Sequence, residues 1–141
     1  MIRKSISMMS HTGTNWNVTG DPVRANAFLG STDGVHTVQV IYQNFVGGFG
    51  IQGTLSLQPG PEDWFWIKTF NGPTDYIPFP INQLAPTGAN GGDTGSLAIT
   101  FIGNFTYVRA VVVRDYLAPA PVNLIWDQWN YGQIDLALLS V

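Results

Sequence analysis

The sequence predicts an all-β protein, an antiparallel, jelly-roll-like β-sandwich of roughly eight or nine strands. Apolar and polar residues alternate with a period of two along the chain, turn signals separate these runs at short intervals, and no segment shows a 3.6-residue period. The chain has 141 residues, the length of one ordinary domain. We therefore expect a single sandwich domain at 20–141, preceded at 1–19 by an N-terminal arm or a first strand.

Four alternating runs predict strands with one buried face. Their apolar members are Val38, Val40 and Tyr42; Ile51, Gly53, Leu55 and Leu57; Leu97, Ile99 and Phe101; and Ile134, Leu136 and Leu138. The β-branched run VRAVVV at 108–113 predicts a central strand covered on both faces, and WFWIKTF at 64–70 has a strand-like composition. The Gly-Gly pair at 47–48 predicts a turn, and 84–95 predicts a long loop.

The composition favours a protein that works through interfaces. Charged residues make up only 11% of the chain and aromatic residues 13%, whereas soluble domains carry roughly 25% charged residues. A chain so poor in charge either covers much of its surface with partners or has a neutral exterior. The net charge of −3 and six scattered basic residues argue against a nucleic-acid partner. There is no cysteine, no apolar run long enough to span a membrane and no N-terminal signal segment, so we expect assembly in the cytoplasm.

Residues that could support catalysis are few, and we expect no enzyme. Only His11 and His36 could act as a neutral base, and neither lies in a nucleophile motif. Asp127 and Asp135 flank the last turn and are the best pair for glycosidase-type hydrolysis, but two acids beside a turn are usually solvated.

Metal ligands are equally sparse. Asp33, Asn90 and Asp93 supply hard oxygen atoms on predicted loops, where calcium sites form in β-sandwiches. Ordinary turn chemistry explains the same residues, since Asn and Asp beside Gly favour turns. We expect neither a metal ion nor a cofactor, and retain the three residues as weak calcium candidates.

The aromatic residues are the most informative set. Trp64 and Trp66 lie on one face of their predicted strand and Phe65 and Ile67 on the other, so one pair faces away from the core. Exposed Trp and Tyr anchor protein–protein interfaces and also stack on sugar rings; an aromatic-rich interior is the third interpretation. The residues selected as interface anchors are Trp16, Trp64, Trp66, Trp126, Trp129 and Tyr131.

Three segments resemble a known group of folds. GFGIQGTLSL at 48–57 followed by EDWFWI at 62–67, GNFTYVRA at 103–110, and GQIDLALL at 132–139 are similar to motifs of discoidin-like, galactose-binding-type jelly-rolls. Small proteins with this run of motifs occur among virion structural proteins of tailed bacteriophages, including those that infect cyanobacteria. The resemblance covers about 35–141.

The resemblance and the composition imply the same kind of function. We expect a structural protein of a phage virion: a capsid decoration (cement) protein or a subunit of the neck, tail or baseplate. Its partners would be other virion proteins and copies of itself, with neither nucleic acid nor membrane. The alternatives, in order, are a module that binds a glycan on a host surface and a glycoside hydrolase.

Arg109 lies within an apolar strand and therefore needs hydrogen-bond partners. We expect it on a sheet face or edge, bonded to backbone carbonyls or to a carboxylate, with Asp115 or Asp135 as the partner. Its role would be structural.

The alternation places Phe101 in the core, together with Val108, Ala110 and Val112. Phe101→Ala should lower the free energy of unfolding by about 3–5 kcal/mol, because a lost aromatic ring leaves a cavity. Denaturant melts measure this loss. A loss below about 1 kcal/mol is typical of a surface residue, and would show that the opposite face of this strand lies in the core.

Overall fold

The computed structural model describes residues 5–10, 12, 17–25, 34–69, 74–79, 93–114 and 132–140. These residues contain strands and no helix, which confirms the all-β sandwich, with ten strands in place of eight or nine. The strands are β1 (Ser5–Ser10), β2 (Val18–Thr19), β3 (Val23–Arg24), β4 (Val35–Phe45), β5 (Gly47–Thr54), β6 (Phe65–Ile67), β7 (Ile77–Phe79), β8 (Asp93–Ile102), β9 (Tyr107–Val113) and β10 (Gln133–Ser140).

The strands form two antiparallel sheets. The four-stranded sheet has the order β1-β10-β4-β8, and the six-stranded sheet has the order β2-β9-β5-β6, with β3 also paired to β9 and β7 also paired to β5. If β2 with β3, and β6 with β7, are each counted as one interrupted strand, eight strands remain. Numbered in this way, the strands of the four-stranded sheet have the order 1-8-3-6. Those of the other sheet have the order 2-7-4-5. This is the strand order of a jelly-roll, built from two Greek keys.

The core lies between the two sheets, and alternation along each strand decides which side chains enter it. His36, Val38, Val40 and Tyr42 of β4 point inward, opposite Ile51 and Phe49 of β5 and the inward residues of β9. Val108, Ala110 and Val112 are completely buried, as predicted. Ile99 and Phe101 are also in the core, and Leu97 packs against it.

The chain crosses from one sheet to the other between β4 and β5, at residues 44–47. Asn44 has a φ of 49° and Gly47 a φ of 145°, the left-handed region that side chains disfavour and glycine accepts. The predicted turn at 47–48 is wrong, because both glycines belong to β5. Val46 alone separates the two strands.

The prediction that Leu55 and Leu57 face the core is wrong. Their side chains are 66% and 73% exposed, because β5 ends at Thr54. Beyond it, side-chain hydroxyl groups replace sheet partners: the Ser56 amide donates to Thr54 Oγ1 over 3.1 Å, and the Gln58 amide donates to Ser56 Oγ over 3.2 Å. Such local bonds offer the backbone an alternative to a sheet ladder.

The predicted buried set on β10 is also wrong beyond Ile134. The register of β10 against β4 shifts between Ile134 and Leu136, which marks a β-bulge. One extra residue moves every later side chain to the opposite face. Ala137 and Leu139 are therefore buried, and Leu136 and Leu138 face outward.

The described part of the N-terminal segment pairs with the sandwich, in agreement with the first-strand alternative of the two that the sequence left open. Strand β1 pairs with β10 from Ser5 opposite Ser140 onwards, and Met8 and Met9 are buried at 3% and 6% exposure. The Thr12 amide donates to the Ile134 carbonyl, and β2 pairs with β9. Residues 5–10 therefore contribute a paired strand and two buried side chains to the fold. Trp16 lies outside the described residues.

Met9→Ala tests this role of β1. We expect the free energy of unfolding to fall by about 2–5 kcal/mol, because a buried thioether side chain leaves the core. Ser7→Ala is the control, since Ser7 is exposed on the same strand, and should change stability by less than about 0.5 kcal/mol. Equal, small losses in urea melts would show that β1 is not part of the folded domain.

Candidate functional site

Arg109 projects from the outward face of the six-stranded sheet and is held by a neighbouring strand. It lies opposite Gln52 across the β5–β9 pair, and its Nε and Nη2 groups both donate to Gln52 Oε1, over 2.9 and 2.7 Å. The expected sheet-face position is right, but the acceptor is a side-chain amide and neither a carboxylate nor a backbone carbonyl. Asp135 lies on the other sheet, and Asp115 lies outside the described residues.

Trp64 covers the guanidinium of Arg109. The Arg109 Cζ atom lies 4.2 Å from the centre of the indole ring, within cation–π range. This partial burial lowers the pKa of Arg109 below its ordinary value, because desolvation disfavours the charged form. The side chain stays protonated at neutral pH, as guanidinium groups do in proteins. Gln52 and Trp64 together fix a cation in one orientation.

Two more aromatic rings lie against β5, and glycine makes room for them. A Cβ atom on Gly50 would stand 2.6 Å from the Trp66 ring, and one on Gly48 would meet the Tyr76 ring. Trp66 and Tyr76 contact each other at 6.2 Å between ring centres. All three rings are half-buried, so each has one side on the protein and another near solvent. We call Gln52, Trp64, Trp66, Tyr76 and Arg109 the Arg109 platform.

The platform contains only some of the residues that the sequence selected. Trp64 and Trp66 share a face as alternation predicts, while Ile67 on the other face enters the core. Their role as interface anchors stays a prediction. The remaining proposed anchors, Trp16, Trp126, Trp129 and Tyr131, lie outside the described residues. Sequence reasoning missed Gln52 and Tyr76; glycines at alternate positions of a strand, which leave space for rings, were the available signal.

The outward face of the four-stranded sheet is almost without charge. Among its described side chains Asp135 is the single ionisable group, and its carboxylate accepts a hydrogen bond from Gln133 Nε2. Ile102 is 76% exposed at one end of this face. We call this surface the neutral face; its outward residues are Ser5, Ser7 and Ser10 of β1, Val35, Thr37, Gln39, Ile41 and Gln43 of β4, Ser96, Ala98, Thr100 and Ile102 of β8, and Leu136, Leu138 and Ser140 of β10.

The neutral face also contains an open depression of about 440 Å³. Its lining surface is mostly apolar, with some amide, hydroxyl and carboxylate groups; the lining residues are Gln39, Ile41, Tyr42, Gln43, Thr94, Gly95, Ser96 and Asp135. Asp135 is the one carboxylate among the described residues of this lining, whereas glycoside hydrolysis uses a pair of carboxyl groups. Asp127, the suggested second carboxylate, lies outside the described residues.

His36 is completely buried. Its ring stacks on Phe101 with 4.9 Å between centres, and its Nδ1–H donates to the Gly34 carbonyl over 2.9 Å. A general base must reach its substrate directly or through one water molecule, and this imidazole is enclosed by aromatic rings. The structure therefore gives His36 a packing role. His11 lies outside the described residues.

Metal-binding groups do not converge in the part of the chain that the structure describes. No three His, Cys, Asp or Glu side chains there lie close enough to hold one ion. Of the weak calcium candidates, Asp33 and Asn90 lie outside the described residues. Asp93 is not in a loop as predicted, because it begins β8 opposite Phe45. No helix that could cross a membrane occurs among the described residues.

Arg114, which the sequence did not single out, is the most buried cation described. Its side chain is inaccessible to solvent; Nε donates to the Val46 carbonyl over 2.9 Å and Nη2 to the Gly132 carbonyl over 3.0 Å. Its own amide donates to Asn17 Oδ1. The only signal in the sequence was that Arg114 directly follows the β-branched run of a buried strand, so that its own side chain can still lie within the core.

Comparisons of the chain with models of known protein families, with curated proteins and with solved structures found no match in any of the three.

Arg109 within β9 and Arg114 directly after it allow a matched test of burial. Arg114→Met should destabilise the fold by about 1–3 kcal/mol for each of the two carbonyls left without a donor. Arg109→Met removes a half-exposed cation bonded to one amide, and should cost about 1 kcal/mol or less. Urea unfolding of both variants gives the comparison. Equal losses would contradict the assignment of Arg114 as the structural arginine.

Proposed function

We propose that this chain is a non-enzymatic structural subunit that assembles with copies of itself through the neutral face. The observation that supports this is a four-stranded sheet whose described outward face carries one ionisable side chain. Exposed sheet faces and edges normally carry charges that oppose association. A face with Thr, Ser and Gln around Ile41, Leu136, Leu138 and Ile102 resembles the core of an interface, where charged residues are depleted.

The setting implied by the sequence resemblance is a bacteriophage virion, in which the chain would be a capsid decoration protein or part of the neck, tail or baseplate. The strand order supports this setting by analogy only, since capsid proteins and lectins both use jelly-rolls. Other virion proteins would then be further partners.

A second copy is the occupant that the neutral face fits best. When the same surface meets itself across a two-fold axis, like charges would oppose each other, and this face has almost none. Four strands about 4.8 Å apart and about eight residues of about 3.4 Å each give a footprint on the order of 500 Å². Two such faces bury on the order of 1,000 Å², close to the lower limit for specific interfaces.

Gln39→Lys tests the assembly. Gln39 lies on an inner strand of the sheet, between Leu138 and Ala98, so a lysine there would be desolvated and would meet a second lysine. We expect the wild-type protein to form a discrete oligomer in light scattering coupled to size-exclusion chromatography. The dissociation constant of the oligomer should be at least about tenfold higher for the variant, because like charges in an interface cost several kcal/mol.

Gln58→Lys is the matched control. Gln58 is exposed in the segment after β5, outside the neutral face, and this variant should assemble as the wild type does. Far-UV circular dichroism establishes that both variants are folded. A wild-type protein that stays monomeric at about millimolar concentration, or a Gln39→Lys protein that assembles normally, would refute the proposal.

A further inference from the structure

We infer that the Arg109 platform is a binding site for a saccharide that carries a carboxylate, a uronic-acid type of sugar. This site lies on the sheet opposite the neutral face and is independent of the proposed assembly.

The first observation is the unused hydrogen-bonding edge of Arg109. A guanidinium has five N–H donors, and Gln52 Oε1 accepts from only two of the donor groups, at Nε and Nη2. Among the described residues Nη1 has no acceptor. Nη1 and the second N–H of Nη2 therefore form a fork with the geometry that a carboxylate accepts.

The second observation is that the fork is held in place before any ligand arrives. Two bonds to Gln52 fix one edge of the guanidinium, and Trp64 covers one face at 4.2 Å. An arginine side chain loses much rotamer freedom when it binds a ligand. Here that loss has already occurred in folding, so binding is stronger for the same contacts.

The third observation is the row of rings beside the fork. Tyr76 lies over Gly48 and Trp66 over Gly50, with Gln52 next along β5. Half-buried Trp and Tyr rings offer an apolar surface with a polar edge. The C–H face of a pyranose ring packs on such a surface, while its carboxylate reaches the fork. A row of rings along one strand fits successive sugar units of an oligosaccharide.

Basic side chains lie on this side of the sandwich, together with the acidic Asp63 and Asp75, which adjoin Trp64 and Tyr76 in the sequence. Arg24 and Lys68 are exposed, and Arg109 is half-buried. Arg24 pairs with Tyr107, which places it diagonally across from Arg109 on the outward face of the sheet, about 7–8 Å away. Lys68 follows Trp66 by two residues and continues the same face. The neutral face carries no basic side chain among those described.

The test uses short oligouronates (galacturonate, mannuronate and glucuronate) and calorimetry, with tryptophan fluorescence as a second readout. At least one oligouronate should bind the wild-type protein. Its methyl-ester form has the same sugar ring without the charge, and should bind about 10–100-fold more weakly, the range for loss of a charged hydrogen bond. Equal binding of the ester would overturn the role of the carboxylate. No binding of any oligouronate at millimolar concentration would overturn the inference altogether.

Variants assign the binding to the platform. Arg109→Met should abolish binding, and Gln52→Ala, which frees the guanidinium, should weaken it. Gln58→Ala changes an exposed glutamine that belongs to neither the platform nor the neutral face, and should bind as the wild type does. Unchanged binding by Arg109→Met would overturn the assignment of the site.

Two further ligands separate sugar recognition from simple anion binding. If acetate or an oligoglutamate peptide binds as tightly as the oligouronate, the platform recognises carboxylates of any source and the saccharide assignment fails. The oligomeric state of Gln39→Lys, measured separately, keeps this result distinct from that of the assembly proposal.

Discussion

The guanidinium of Arg114 is enclosed where the two sheets of the sandwich are joined, and several parts of the fold meet on it. Its donors bond the carbonyl of Val46, at the crossing from β4 to β5, and the carbonyl of Gly132, which precedes β10. Its backbone amide bonds Asn17, just before β2. A cation removed from water is costly unless it is well bonded, so these segments must all be in place together. The crossing and the start of the last strand therefore depend on this side chain, and the segment before β2 is bonded to its backbone.

Periodicity alone predicted the parts of the fold in which a strand runs straight. It placed Val38, Val40, Ile99, Phe101 and the inward residues of β9 correctly, because two-residue alternation follows directly from strand geometry. It failed where one residue breaks the period. The bulge before Leu136 exchanges the two faces of β10, and hydroxyl bonds follow the end of β5 three residues before the apolar pattern stops. Neither event is visible in a pattern of apolar and polar residues.

The candidate site could be predicted only in part, for a similar reason. Composition and alternation pointed to Trp64 and Trp66 and to Arg109 as a cation on a sheet face. The partner of Arg109 could not be found, because it depends on the register of β5 against β9, which sets Gln52 opposite Arg109. Register is fixed by tertiary packing as well as by sequence pattern. The same holds for Tyr76, whose ring reaches Gly48 only because β7 pairs with the beginning of β5.

The pairing of β1 with β10 has a consequence for the synthesis of the protein. Strand β10 lies between β1 and β4, so the first strand made has no neighbour in its sheet until the last one emerges from the ribosome. Until then β1 and one edge of β4 lack their neighbouring strand. Contacts between the ends of a chain are the slowest to form, and the nascent chain must stay soluble meanwhile. The four-stranded sheet is therefore completed only after β10 has been synthesised.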